Sequence, residues 1–393
     1  MDIAIIGGGA SGLSAAITIK KNKDYNVTIF ERLKKPGSKI KASGAGRGNL
    51  SNEKMDPYKF NHPFFAKKVV DMVNVEDLKE FFLELGIVTK KDKDGRIYPY
   101  NEEASSVAEL LRIKAINLGV EIKTNKKIEE IIYRNNRFYI DGKWYDKAIL
   151  ATGGKSYESL GSDGSGYLLA KSLGHSITSI YPGLTGYFTK EKFEGLDGIR
   201  SKVSVRIDDF FETGEILFRN DSISGIVIFD VTSYIGRNKI NNPKIFVDFL
   251  PDYSYNEAFE LITRLQNSNG FLYLDTFLLG VIDQKIYLEI LNKSNIDYKK
   301  RTSSSLTTIE ITKLLTLLKS YPIELTNPYS FDKSQVSIGG VRIDEVNSSF
   351  ESLKISGLYI IGELLDIDGL TGGYNMHMAF ASGIIAGLDV IKC

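Results

Sequence analysis

The sequence has few of the residues from which disulfide and metal sites are built. Its 393 residues include three histidines and a single cysteine, Cys393, at the last position. One cysteine cannot form a disulfide framework, a zinc cluster or a CxxC redox pair. This excludes the disulfide reductases that relay electrons through two cysteines, and we expect no metal site.

The chain also lacks an excess of charge of either sign and any long hydrophobic run. It has 50 Lys and Arg against 49 Asp and Glu, so no global charge draws it to nucleic acid or to an anionic membrane. No stretch approaches the length of a membrane span. The N-terminal apolar run is short and has no basic segment before it, unlike a signal peptide. We therefore expect a cytoplasmic protein. The length of 393 residues predicts more than one domain.

The first residues carry the strongest motif. A short apolar run, 2–6, leads into Gly7-Gly8-Gly9-Ala10-Ser11-Gly12 and then into a helix-like segment. In such a unit Gly7 permits a tight turn, Gly9 lets the backbone approach a pyrophosphate, and Gly12 lets helix and strand pack closely. The helix N-terminus offers N–H groups and a partial positive charge to the phosphates. The pattern predicts a dinucleotide site.

An acid stands at the end of the next apolar run. Glu31 follows Gly7 by 24 residues, where a carboxylate accepts hydrogen bonds from a ribose diol. A carboxylate there repels a 2′-phosphate, so the motif indicates FAD or NAD rather than NADP. It leaves FAD and NAD open, and a glycine turn without a ligand is the alternative.

The stretch 36–52 is too rich in glycine and serine for a regular element. Because it follows the dinucleotide unit directly, we interpret it as a loop over a phosphate or a flavin. Lys39 and Arg47 would supply charge and Asn49 amide hydrogen bonds. A mobile surface loop is the alternative.

Hydrophobic periodicity predicts the other elements. Helices are predicted at 76–85, 103–118, 167–173, 255–266, 283–291, 307–319 and 376–391. Strands are predicted at 119–123, 128–133, 137–140, 203–207, 215–218, 225–229, 244–248 and 357–361, with a further buried strand that ends in a turn over 147–154. From about 182 to 339 the chain is first β-rich and then helical, so this block resembles an insertion between two parts of one domain.

The C-terminal part supplies a second ligand-facing element. The strand at 357–361 runs into Gly362-Glu363, and Gly372-Gly373 opens the last helix. The acid can hold a polyol hydroxyl, and the helix N-terminus can face the N1–C2=O edge of a reduced flavin. FAD has a ribityl chain and a large ring that such an element can bind, whereas NAD has little need for it. The sequence therefore favours FAD.

Together these segments resemble the bacterial flavoprotein family that includes aminoacetone oxidase and the BaiN-type reductases. The similarity spans nearly the whole chain and is most specific in 43–49 and 371–375. It implies an α/β fold in which a Rossmann-like FAD-binding domain of the glutathione reductase type is interrupted by two further domains. The implied boundaries are 1–182 and 340–393 for the FAD-binding domain, 183–252 and 320–339 for a β-rich domain, and 253–319 for a small helical domain.

The resemblance also implies which residues contact FAD. They are Gly7, Gly9, Ala10, Ser11, Gly12, Glu31, Arg32, Lys39, Ser43, Gly44, Arg47, Gly48, Asn49, Ile128, Ala151, Thr152, Gly153, Gly362, Glu363, Gly373, Tyr374, Asn375 and Met376.

Three features depart from the family's pattern. Gly48 stands where the family usually has a cysteine, and His377 and Met378 stand where it has glutamine and tryptophan. The Thr-His pair that usually precedes Gly-x-Ser-Gly in the middle domain is missing from 218–225. FAD binding therefore transfers from the resemblance, whereas the substrate does not.

No residue stands out as a catalytic acid or base, and the candidates are Arg47, Tyr157 and His377. Arg47 could hold FAD or an anionic substrate, and Tyr157 could donate a hydrogen bond near the flavin or lie on the surface. His377 falls in the first turn of the last helix, whose N-terminus favours a neutral ring; it either faces the flavin or packs inside. We interpret His62 as a surface residue and His175 as structural.

We expect an FAD-dependent oxidoreductase in which hydride passes through flavin N5, either from NAD(P)H or from an amine or alcohol substrate. The acceptor would be an activated double bond, a quinone-like compound or O₂. No second glycine unit for NAD(P)H is visible, so such a donor would dock transiently. The alternatives are an NAD dehydrogenase and an FAD-binding protein with a non-redox or RNA-modification role. For RNA a basic patch is expected, and 299–301 is the only three-residue basic run.

Overall fold

The computed structural model describes residues 1–392. Its helices are α1 (Ala10–Asn22), α2 (Pro63–Met72), α3 (Val75–Glu84), α4 (Ala104–Asn117), α5 (Ser165–Ser172), α6 (Ile226–Asn238), α7 (Tyr255–Ser268), α8 (Gln284–Lys293), α9 (Thr308–Lys319) and α10 (Tyr374–Val390). Its strands are β1 (Asp2–Ile6), β2 (Asn26–Phe30), β3 (Ser51–Asn52), β4 (Thr89–Lys91), β5 (Arg96–Pro99), β6 (Glu121–Lys123), β7 (Ile132–Arg134), β8 (Arg137–Ile140), β9 (Lys143–Tyr145), β10 (Lys147–Leu150), β11 (Tyr181–Gly183), β12 (Tyr187–Thr189), β13 (Arg200–Ile207), β14 (Phe210–Arg219), β15 (Ser222–Ser224), β16 (Lys244–Asp248), β17 (Tyr321–Pro328), β18 (Val336–Ile338) and β19 (Leu358–Ile360).

The chain divides into two compact units. One comprises Met1–Gly183 and the segment from Ser330 onward, and the other comprises Leu184–Tyr329. The segment 330–339 belongs with the first unit, where β18 pairs with β11. The division of the inserted block into a β-rich and a helical domain stays a prediction.

The first unit is built on a five-stranded parallel sheet in the order β19-β10-β1-β2-β6. Its strands are short apolar runs, and Ile5, Ile29 and Ile149, which lie side by side in the register, are fully buried. Strands buried on both faces are typical of parallel sheets covered by helices. The α/β class and the Rossmann-like sheet expected from the sequence are confirmed.

Parallel strands bring their carboxyl ends to one edge of the sheet. The residues that leave that edge are Gly7 after β1, Glu31 after β2, Ala151 after β10 and the 361–363 turn after β19. Four of the predicted ligand-binding segments therefore leave the sheet at the same edge.

Helices α1 and α10 pack against each other at their small residues. A Cβ placed on Gly383 would lie 2.2 Å from the carbonyl oxygen of Ser11, so no larger residue fits there. Ser14 Oγ donates a hydrogen bond to the carbonyl of Phe380 at 3.2 Å. The close packing expected from the small residues of the last helix is thus present.

Smaller antiparallel sheets, β3-β5-β4 and β7-β8-β9, complete the first unit together with the pair β11-β18. The predicted hairpin forms over Asn135-Asn136, both of which have positive φ angles, as tight hairpin turns require. The predicted strand at 128–133 begins only at Ile132, so its first four residues were wrong.

The second unit contains a closed antiparallel barrel in the order β12-β15-β14-β13-β16-β17. The strand predicted at 225–229 was wrong, because this segment opens helix α6. Gly225, with φ of 101°, ends the preceding strand, and Val227, Val231 and Ile235 then bury one helical face. A five-residue apolar run fits a buried strand and a buried helix equally well, so periodicity alone could not decide.

Candidate functional site

The turn after β1 is fixed by Gly7. Its φ angle is +109°, and a Cβ there would lie 2.3 Å from the carbonyl oxygen of Ala151. Its N–H donates to the carbonyl of Phe30 at 2.9 Å. Gly7 is therefore wedged between β2 and β10, and only glycine fits.

Two further glycines shape the start of α1. A Cβ on Gly12 would lie 2.0 Å from the carbonyl oxygen of Gly7, so the helix approaches the turn as closely as predicted. Gly9 is the N-cap, no side chain caps this end of the helix, and a Cβ on Gly9 would meet nothing within 4 Å. Open space in front of a helix end that no side chain caps fits the pyrophosphate of a dinucleotide.

Glu31 is buried at the edge of the sheet. Its Oε2 accepts the Gly8 N–H at 2.9 Å and its Oε1 accepts the Leu33 N–H at 2.8 Å. Burial raises the pKa of the Glu31 carboxyl, and the two N–H donors oppose that shift. Each carboxylate oxygen keeps a further lone pair with which it can accept a ribose hydroxyl.

Two other residues predicted to contact FAD lie in this unit. Arg32 Nη1 lies 2.5 Å from the Asp163 carboxylate, which Lys127 also contacts at 3.1 Å. Hydrogen bonds from Ser165, together with these two cations, hold the pKa of Asp163 well below its usual range against its burial. Ile128 is buried in the hydrophobic core.

The loop after residue 36 is tied to the C-terminal turn by an ion pair. Lys39 Nζ lies 2.5 Å from Glu363 Oε2, and both side chains are largely buried. Glu363 Oε1 accepts the Ser337 N–H at 2.8 Å. The loop is thus anchored to the Gly362-Glu363 turn, whose acid the sequence predicts to hold a polyol hydroxyl. This contact is consistent with the prediction that the loop lies over a ligand.

Arg47, in contrast, is exposed. Its guanidinium stacks on the Tyr98 ring at 4.4 Å and its Nε contacts Glu102 Oε2 at 2.5 Å. Arg47 and Lys90 together lower the pKa of Glu102 to about 2. Arg47 therefore already has a carboxylate partner, and its role toward FAD or a substrate stays a prediction.

Within the loop, Gly44 and Gly48 have φ angles of +56° and +78°. A Cβ on Gly48 would also lie 3.2 Å from Ala104 Cα. The positive φ angle and the close approach of Ala104 both disfavour a side chain at this position. Glycine in place of the family's cysteine therefore matches the local backbone. Ser43 Oγ donates to the carbonyl of Ile40 at 2.7 Å and so braces the loop internally.

The turn after β10 packs against α5. A Cβ placed on Gly166, in α5, would lie 1.8 Å from Thr152 Oγ1. The helix therefore contacts this turn directly. Gly153 has φ of +72°. The three predicted residues Ala151, Thr152 and Gly153 thus lie between the first glycine turn and α5.

The start of α10 is held by side chains that the sequence assigned to FAD. Asn375 Oδ1 accepts the Gly369 N–H at 2.9 Å and its Nδ2 donates to the Gly369 carbonyl at 2.7 Å. Tyr374 is buried and its hydroxyl donates to the carbonyl of Lys54 at 3.1 Å. Their side chains brace the turn, while Met376 is only half-buried. The contacts of Tyr374, Asn375 and Met376 with FAD stay a prediction.

His377 packs inside the protein, which decides between the two predicted alternatives. It is fully buried, its Nε2 donates to the Val73 carbonyl at 3.1 Å, and its Nδ1 accepts from Ser51 Oγ at 2.9 Å. Burial lowers its pKa to about 4. Both ring nitrogens are thus engaged inside the protein, and the catalytic role of His377 stays a prediction.

The other two histidines and the candidate Tyr157 lie in different surroundings. His175 is buried between Glu345 Oε2 at 2.9 Å and Ser352 Oγ at 3.0 Å, so it is structural. His62 lies at the start of α2, half-exposed and 4.0 Å from Asp366. Tyr157 has φ of +60°, which is rare for a side chain of this size. Its catalytic role stays a prediction.

Two residues of this region were missed from the sequence. Ser337 joins Glu363 to the turn after β10, and Tyr167 of α5 lies beside both. Neither stands in a recognisable motif.

Among residues 1–392 no group of three or more His, Asp, Glu or Cys side chains is arranged to hold a metal ion. In the same range no helix has both the length and the hydropathy needed to span a membrane.

The parallel sheet, the glycine turn, the acid at the second strand and the Gly-Glu turn beside a second helix start define an FAD-dependent oxidoreductase. Residues 1–389 match the family described as HI0933-like protein Rossmann domain. The chain belongs to this family, and the predicted resemblance is confirmed.

Two curated relatives agree with this class, and a solved structure shares the fold. The chain is 36% identical to the 3-dehydro-bile acid delta(4,6)-reductase of Clostridium scindens, over 98% of both chains. It is 27% identical to the ribosomal RNA dihydrouridine synthase of Haemophilus influenzae, over 99% of this chain and 98% of that protein. The fold resembles 3-ketosteroid delta1-dehydrogenase from Sterolibacterium denitrificans, with a TM-score of 0.54 and 10% identity, over 100% of this chain and 99% of that one.

Proposed function

We propose that this protein reduces a carbon–carbon double bond conjugated to a carbonyl group in a small, largely apolar substrate. The observation that carries the proposal is the 36% identity, over nearly the full length of both chains, to a reductase named for a 3-dehydro-bile acid. The name of the second relative also denotes saturation of a conjugated double bond, that of uridine. The two relatives thus share a reaction type and differ in substrate.

FAD supplies the hydride-transfer chemistry when it is bound. The chain's own residues at the sheet edge would hold it. Glu31 would accept the adenosine ribose, the open N-terminus of α1 would face the pyrophosphate, and Glu363 would accept a hydroxyl of the ribityl chain. The N-terminus of α10 would lie toward the flavin edge that gains negative charge.

NAD(P)H is the proposed electron donor, docking transiently because no second glycine unit is present to hold it. With a reduced nicotinamide as donor, we propose that the protein works in the cytoplasm, where this pool is available.

We propose neither a nucleic-acid nor a membrane partner. The charge of the chain is balanced, and Arg301, in the only three-residue basic run, forms a two-pronged ion pair with Glu310 at 2.8 and 3.0 Å.

Product analysis tests the substrate class. The FAD-loaded protein is incubated under anaerobic conditions with NADH or NADPH and either a steroid ketone conjugated to a double bond or ribosomal RNA without dihydrouridine. The proposal predicts that the steroid gains two hydrogen atoms by mass spectrometry and the RNA none. Reduction of the RNA alone would contradict the small-molecule substrate, and the same assay without protein is the control.

A further inference from the structure

The hydroxyl of Tyr167 is buried without a hydrogen-bond partner. Tyr167 lies in the first turn of α5 with 8% of its surface exposed, and its Oη has no hydrogen-bond partner among the described residues. A buried hydroxyl that loses water without gaining a partner costs free energy, so such groups are rare and need a reason.

Ser337 is beside this hydroxyl, but its Oγ cannot accept the phenol proton. Ser337 Oγ already accepts the N–H groups of Lys155 at 2.7 Å and Ser156 at 3.1 Å. It also shares a hydrogen bond with Ser156 Oγ at 3.0 Å. Because a hydroxyl oxygen has two lone pairs and one proton, Ser337 has no acceptor position left for Tyr167.

The same region brings Tyr167 next to the Glu363 carboxylate. A Cβ on Gly154 would lie 2.9 Å from Glu363 Oε1 and 2.5 Å from Ser337 Oγ. The Gly154 carbonyl accepts the Gly164 N–H at 3.1 Å, and a Cβ on Gly164 would lie 3.5 Å from the Tyr167 ring. Tyr167 and Glu363 thus border the same short stretch of backbone.

The two groups offer opposite hydrogen-bonding roles. Burial raises the pKa of Tyr167, and the charge of Glu363 raises it further, so the phenol keeps its proton and can donate. Glu363 Oε1 accepts from the Ser337 N–H and Oε2 accepts from Lys39 Nζ. Each of these oxygens has one further lone pair, so Glu363 can accept another hydrogen bond. A ligand group that satisfies both must accept and donate at once.

An alcohol hydroxyl has this property, whereas a phosphate oxygen or a carbonyl cannot donate to a carboxylate. We propose that Tyr167 Oη and Glu363 together bind one hydroxyl of the FAD ribityl chain, an inference that rests on the FAD-dependent function. Tyr167 is then a cofactor-binding residue, and the binding of FAD supplies the partner that its hydroxyl lacks.

Two phenylalanine variants test this role. Tyr167→Phe removes the hydroxyl and keeps the ring. Tyr287→Phe is the matched control, because Tyr287 in α8 is also buried and its hydroxyl likewise has no hydrogen-bond partner within residues 1–392. Removing an unpaired buried hydroxyl should leave the stability of the flavin-free protein unchanged or slightly higher in both variants. Thermal unfolding of the flavin-free protein checks that both variants fold.

The decisive reading is FAD affinity, measured by titrating FAD into the flavin-free, full-length protein and following the quenching of flavin fluorescence. We expect the Kd to rise about three- to tenfold in Tyr167→Phe, as for the loss of one hydrogen bond, and to stay unchanged in Tyr287→Phe. FAD analogues that lack one ribityl hydroxyl extend the test. For the analogue without the partner hydroxyl, wild type and Tyr167→Phe should bind equally well.

An unchanged Kd in Tyr167→Phe would overturn the inference, and so would an equal penalty for FAD and every deoxy analogue. These results leave the function itself intact when wild type binds FAD and is reduced by NAD(P)H. Failure of the wild-type protein to bind FAD would overturn both.

Discussion

His377 Nδ1 lies 2.9 Å from Ser51 Oγ, and this hydrogen bond joins the first turn of α10 to the end of the glycine-rich loop. Ser51 is held from its other side as well. With its amide oriented to satisfy both neighbours, Asn49 donates to the Ser51 carbonyl and accepts the Gly373 N–H, each at 3.0 Å. The loop and the start of α10 are therefore bound into one piece, so that both reach the proposed flavin site in a fixed relation.

The first prediction concerns the pH dependence of stability. The pKa of His377 is about 4 against an ordinary 6.5, so as the pH falls the unfolded chain binds the proton first. The folded state therefore loses stability between pH 6.5 and 4, by roughly 2 to 3 kcal/mol in all. His377→Gln keeps a donor and an acceptor but does not titrate. Urea unfolding at about pH 7.5 and about pH 4.5 should show a smaller loss in the variant than in wild type. An equal loss in both proteins would contradict the buried neutral ring.

A pair of glycine variants tests the pyrophosphate site. Gly9→Ala places a methyl group in open space, so the protein should fold with wild-type stability. The same methyl group would stand where the pyrophosphate approaches, and we expect the Kd for FAD to rise about tenfold or more. Gly280→Ala, also in open space but in the second unit, is the control and should change neither quantity. Unchanged FAD affinity in Gly9→Ala would place the pyrophosphate elsewhere.

Gly12→Ala should behave in the opposite way. Its Cβ would lie 2.0 Å from the Gly7 carbonyl oxygen, which is backbone and cannot move aside. We expect destabilisation by about 4 kcal/mol or more, seen as a lower midpoint of urea unfolding even without FAD. A variant as stable as wild type would show that α1 does not approach the turn this closely.

The ion pair between Lys39 and Glu363 gives a prediction about salt. Lys39→Met leaves the Glu363 carboxylate without its cation and removes a positive charge from the proposed cofactor site. FAD should bind about tenfold more weakly, and its affinity should depend less on ionic strength. Lys41→Met removes an equal charge from an exposed position of the same loop and should have little effect. Equal effects of the two variants on a titration over a range of salt concentrations would contradict a specific role for Lys39.

Much of the first unit could be predicted because its signals are local. The apolar runs before Gly7 and Glu31 predict parallel strands, and the carboxyl ends of such strands share an edge whatever the rest of the chain does. Helix α6 could not be distinguished from a strand, because a five-residue apolar run fits a buried strand and a buried helix equally well.

The contacts that brace the site have no local signal. Ser51 and His377 are 326 residues apart, and the partner of His377 is an ordinary serine. Ser337 and Tyr167 likewise acquire their positions only through the packing of α5 and β18 against the turn after β10. Sequence periodicity identifies Tyr167 as part of a helix, but a hydroxyl without a partner can be seen only in three dimensions.

The most direct measurement is the anaerobic visible spectrum of the FAD-loaded protein during one reaction cycle. NADH or NADPH is added first, and a steroid ketone conjugated to a double bond follows. We predict that the flavin absorption bleaches on the first addition and returns on the second, as electrons pass from the nicotinamide to the double bond. A protein that binds no flavin, or a flavin whose absorption neither donor can bleach, would contradict it.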